Sequence, residues 1–76
     1  MPDPNEIAAL KASYRGALST AQSLAAFAER IDALDPHSDI SAADLEELQR
    51  ITAAHAIASA ALRGLVNTMV ARRTAA

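Results

Sequence analysis

Cysteine and tryptophan are absent from these 76 residues, tyrosine and phenylalanine occur once each, and there are only two glycines and three prolines. Without cysteine there is no disulfide framework and no thiolate metal site, which removes stapled mini-proteins and zinc ribbons. Strands draw on β-branched and aromatic side chains, and aromatics make up 3% of the chain, so a sheet is not expected. Two of the three prolines fall within the first four residues, which leaves little to interrupt the rest of the chain. The expectation is one domain over residues 1–76 made of few, long helices.

What is present points the same way. Hydrophobic residues are 51% of the chain, and alanine alone accounts for 20 of the 76. Alanine is the best helix former but brings little bulk to a core. Asp3 followed by Pro4 reads as an N-cap and a first helical position, with Glu6 in the first turn against the positive end of the helix dipole. From there Ile7, Leu10, Tyr14, Ala17, Ala21, Leu24, Ala28 and Ile31 recur at alternating spacings of three and four, widened by Leu18, Ala25, Phe27 and Leu34. This predicts a first helix over about residues 4–34. Asp35 and Pro36 end it, because proline disfavours helical geometry at the preceding residue and has no N–H to donate.

After a turn over about residues 35–40, Ser41 with Asp44 three residues later reads as a second helix start, which the pattern extends over about residues 42–73. Its stripe is Leu48, Ile51, His55, Ala58, Leu62, Leu65 and Met69, flanked by Leu45, Val66 and Val70. Two long helices with a short connection fold back as an antiparallel hairpin, an all-α architecture. Folding about residue 38 sets position i against roughly 77 − i, which places His55 opposite Ala21. Tyr14 and His55 are the expected polar members of the core.

The second helix carries a further expectation. Residues 51–62 contain one weakly ionisable side chain, His55, and Ile57 points away from the main stripe. A helix that is apolar all round is normally covered all round. Ala53, Ala54, Ile57, Ala60, Ala61 and Gly64 form a small-residue surface that another helix can approach, and a homodimeric four-helix bundle covers it with no added molecule. A helix from an unidentified protein partner is the other candidate for that position.

Charge is distributed unevenly. Seven of the nine acids lie between Glu29 and Glu47, at the bend, while Lys11, Arg15, Arg63, Arg72 and Arg73 lie toward the open end. Dipole and cap effects account for Asp44, Glu46 and Glu47 at a helix start and for Arg72 and Arg73 at a helix end. Glu29, Asp32, Asp35 and Asp39 have no such local role and are the candidate contacts for a basic partner surface. The net charge of −2 disfavours nucleic acid.

The most apolar window, residues 51–71, has Arg63 near its middle, where insertion into a bilayer costs about 2.5–3.5 kcal/mol, so no membrane span is expected. The N-terminal stretch is acidic and lacks the pattern of a secretory leader, which makes the cytoplasm the expected compartment. Six arginines against one lysine, with abundant alanine, suggest a GC-rich bacterial or phage source.

Catalytic and metal chemistry find few footholds. Residues 39–45 resemble the end of an EF-hand loop, but aligning Asp44 with the last ligand puts Ala33 where the first acid belongs and Ser38 where glycine belongs. No Glu-x-x-His spacing exists for a di-iron bundle, and no nucleophile has a base at motif spacing. Residues 30–35 resemble the opening helix of the helical chorismate mutases, although Pro36 interrupts the helix where those continue. No cofactor and no enzymatic activity are expected. A dimer of helical hairpins also resembles the small plasmid copy-number repressor that binds paired RNA loops, and this resemblance implies an RNA- or DNA-binding alternative that would use the basic open end. The function expected first is a regulator, inhibitor, adaptor or assembly subunit acting through protein contact.

Overall fold

The computed structural model describes residues 3–74, so the outermost residues of the expected single domain, 1–2 and 75–76, lie outside the described part. Two helices, α1 (Pro4–Asp32) and α2 (Ala42–Thr74), pack against each other as a hairpin. The start of α1 follows from its residues. The Asp3 carboxylate accepts from the Asn5 N–H at 2.9 Å, and Pro4 occupies the first turn, where its missing N–H costs nothing.

The end of α1 comes two residues earlier than expected, at Asp32 rather than about residue 34. Pro36 supplies no N–H to continue the ladder, and Asp35 is committed to the turn. Its carboxylate accepts from the His37 N–H at 2.9 Å and its carbonyl from the Ser38 N–H at 2.8 Å. The last turn then tightens, with the Leu34 N–H donating to the Ile31 carbonyl at 3.0 Å.

Ser41 starts α2 by accepting the Asp44 N–H on its hydroxyl at 3.1 Å. The reciprocal half of a capping box does not form, because the Asp44 carboxylate turns across the hairpin to Arg30 at 2.9 Å, and Glu47 joins it at 3.2 Å. The same guanidinium sits over the Phe27 ring, 5.1 Å from its centroid. At the other end Arg73 reaches Glu6 at 2.9 Å, so an acid near the start of α1 meets a base near the end of α2, each at the dipole end that favours it. Because Arg30 is 55% exposed, replacing it with alanine is expected to cost only about 0.5 kcal/mol. Urea unfolding at low and at molar salt checks this, with the difference from the parent chain shrinking at high salt.

Arg30 with Glu47, Thr20 with His55 and Glu6 with Arg73 fix the register, and it follows the 77 − i rule to within two residues. Burial is much thinner than the stripes suggest. Phe27, 3% exposed, is the one buried side chain among the described residues. Leu10, Ala17, Leu24, Ile31, Leu48, Ile51, Leu62, Leu65 and Met69 are half-buried along the seam. Ile7, Tyr14, Leu18, Leu45, Val66 and Val70 are exposed. Tyr14 is therefore not a core residue of the hairpin: at 37% exposure it lies on the flank, because a single facing helix covers a narrower arc than the apolar stripe spans. The apolar residues of α2 are spread almost evenly around it, as its sequence implies.

Candidate functional site

Three features were singled out in the sequence, and the hairpin places them apart from one another. His55 bridges the helices. Its Nδ1 lies 2.8 Å from the Thr20 hydroxyl on α1, and its Nε2 lies 3.3 Å from the Ser59 hydroxyl one turn along α2. The Thr20 hydroxyl also lies 3.0 Å from the Ala17 carbonyl. Two arrangements satisfy the network: Nδ1–H donating to Thr20 while Ser59 donates to Nε2, or the Thr20 hydroxyl donating to Nδ1 while Nε2–H donates to Ser59.

A serine beside a histidine has the outline of a nucleophile and its base, but the rest of such a site is missing around this pair. Both residues are mid-helix, where the surrounding backbone N–H groups are committed to the α-helical ladder and none is free to hold an oxyanion. The group behind the imidazole is a threonine hydroxyl rather than a carboxylate. The arrangement works as a polar link that sets the two helices in register. Thr20 was not among the sequence candidates. The signal for it was its position, one residue from the one set opposite His55.

The acidic bend is partly neutralised within the chain. Arg30 holds Asp44 and Glu47, and Asp35 is spent on the turn. Of the four candidate partner contacts, Asp35 thus has a local role after all. Glu29, Asp32 and Asp39 are exposed, and no ion pair forms on them among the described residues. No three acidic or histidine side chains of the described residues converge as a metal site would require.

Ala53, Ala54, Ile57, Ala60, Ala61 and Gly64 are all exposed, and Ile57 at 73% is the most exposed of the large apolar side chains. At about 100° per residue these positions centre on the side of α2 turned away from α1.

A second apolar surface was not separated from the core in the sequence. Ile7, Tyr14 and Leu18 share one flank of α1, and Leu45, Val66 and Val70 share one flank of α2. Each flank is rotated roughly 90° from its helix's buried line in the direction of chain advance. Because the helices are antiparallel, both rotations lead to the same side of the hairpin. The groove formed by Leu10, Val66, Met69, Val70 and Arg73 opens on that side. No helix is long and apolar enough to cross a membrane among the described residues. Compared with known proteins, the chain matches no family model, and no curated protein or solved structure shows significant similarity to it.

Proposed function

We propose that this chain is a small non-enzymatic protein–protein interaction module, a regulator, inhibitor, adaptor or assembly subunit of bacterial or phage type, whose working form is a homodimeric four-helix bundle. Its surface area is the observation that carries the proposal. A compact folded monomer of 7.9 kDa has an accessible surface of roughly 4,400 Å², whereas this hairpin has 5838 Å². The radius of gyration tells the same story, 17.4 Å against about 11 Å for a compact domain of this length. The excess of about 1,400 Å² per chain is what one partner contributes to a large homodimer interface. A rod of 57 × 18 × 17 Å becomes a bundle of ordinary proportions when a second rod lies along it.

Sedimentation equilibrium of the purified chain tests this reading. A particle of twice the 7.9 kDa chain mass at micromolar concentration supports it, and a folded particle of single-chain mass overturns it. The nucleic-acid alternative gains no specific support. Arg73 is held by Glu6, and Lys11, Arg15, Arg63 and Arg72 do not share one face of the hairpin.

A further inference from the structure

We infer that the second copy seats on the face carrying Ile7, Tyr14 and Leu18 of α1 and Leu45, Val66 and Val70 of α2, with the two hairpins running in opposite directions so that each acidic bend lies beside the other's basic open end. This inference rests on the homodimer reading above and deepens it by naming the face and the orientation.

The choice of face follows from what a bundle requires. Each hairpin must offer both helices to its mate, and of the two faces that do so the one with these six side chains is apolar, whereas the other runs across Thr20, Ser23, Arg50 and Ala54. The back of α2, where Ala53, Ala54, Ala60, Ala61 and Gly64 surround Ile57, offers one large apolar side chain, and α1 meets its edge only at Thr20 and Ser23 beside Ala54. Six of the eight exposed large apolar side chains lie on this face, 37% to 54% exposed, so covering it withdraws much apolar surface from water. Thr52, between Leu45 and Val66 on the α2 flank, is already provided for within its own helix. The Thr52 hydroxyl donates to the carbonyls of Leu48 and Gln49 at 2.9 and 3.1 Å, so covering it leaves no donor unpaired. Thr52 therefore adds no unbonded hydroxyl to the face, and the Tyr14 hydroxyl, which has no partner among the described residues, stays at its wet margin or takes a partner from the second copy.

Charge sets the orientation. Residues 29–50 carry seven acids and two bases, Arg30 and Arg50, a net of −5. The open end, residues 3–15 together with 63–74, carries Asp3 and Glu6 against five bases, a net of +3. Packing with both bends at one end would set −5 beside −5 and +3 beside +3. Opposite packing sets −5 beside +3 at both ends, and it brings Glu29 and Asp32, without an ion pair among the described residues, toward the level of the second copy's Arg72 and Arg73.

Because the chain has no cysteine, single-cysteine variants report this geometry directly. Leu18 is at mid-length of α1 on the proposed face, close to where the two-fold axis of an opposite-facing dimer passes. Ile7 is near one end, so its two copies would be about 30 Å apart at 1.5 Å per residue. With a short bis-maleimide, Leu18→Cys is expected to give covalent dimer at a yield about tenfold above that of Ile7→Cys or Ile57→Cys, the difference reflecting effective concentration. Tyr14→Cys on the same face serves as the second reporter and should behave as Leu18→Cys does; circular dichroism verifies that each variant is helical. Equal crosslinking of Ile7→Cys and Leu18→Cys overturns the orientation, and strong crosslinking of Ile57→Cys alone overturns the face. A single-chain mass for the parent overturns the homodimer reading itself, so the two failures are told apart.

Discussion

Replacing Phe27 with alanine is expected to remove about 3 kcal/mol of stability, the largest effect of any single truncation in the chain. The reason is the scarcity of burial. Phe27 alone is buried among the described residues, and it is also the platform for Arg30, which joins it to Asp44 and Glu47. A chain of this size has on the order of 4–11 kcal/mol in total, so the loss is a large fraction of what holds it together. Urea unfolding followed by helical circular dichroism measures it at fixed protein concentration. Phe27→Leu keeps most of the volume and should cost about 1.5 kcal/mol or less. Equal losses for the two variants would show that the ring is not packed as described.

The opposite change in stability is expected from Gly16→Ala and Gly64→Ala. Both glycines are exposed within helices, neither has a positive φ, and an added Cβ meets nothing within 4 Å at either position. Each substitution removes backbone freedom from the unfolded chain and should add about 1 kcal/mol, with about 2 kcal/mol for the pair. Thermal and urea unfolding of the two single variants and the double variant check this. Gly64 has a second use. If another helix packed closely on the back of α2, a methyl group at Gly64 would hold it off and destabilise the assembly; with the mate on the opposite-sided face of six apolar residues, the gain at Gly64 equals the gain at Gly16.

Punctuation and register were readable from the residues themselves. Asp3 and Pro4, Asp35 and Pro36, and Ser41 carry their structural meaning locally, through a carboxylate, a ring or a hydroxyl acting on the nearest backbone groups. Register followed because two helices of nearly equal length joined by a short turn have only one way to lie together. The division between seam and flank was not readable in the same way. Ile7, Tyr14 and Leu18 belong to the same broad stripe as Leu10, Ala17 and Leu24, and periodicity alone says only that the stripe is covered by something. Which part lies under α2 and which part is left over is set by the position of the second helix, a tertiary fact. The candidate sites divide along the same line. His55 is explained by its hydroxyl partners and Asp35 by its turn, whereas nothing among the described residues covers the Ile57 surface or the flank face.

In the proposed homodimer each chain is half of the folding unit. The most direct measurement is the thermal midpoint of helix loss followed across a hundredfold dilution of the purified chain, starting from about 100 µM. Folding coupled to association predicts a midpoint that falls steadily as the chain is diluted, in step with a shift in mass from twice 7.9 kDa toward 7.9 kDa. A midpoint that stays constant throughout, in a helical particle of single-chain mass, would contradict the account.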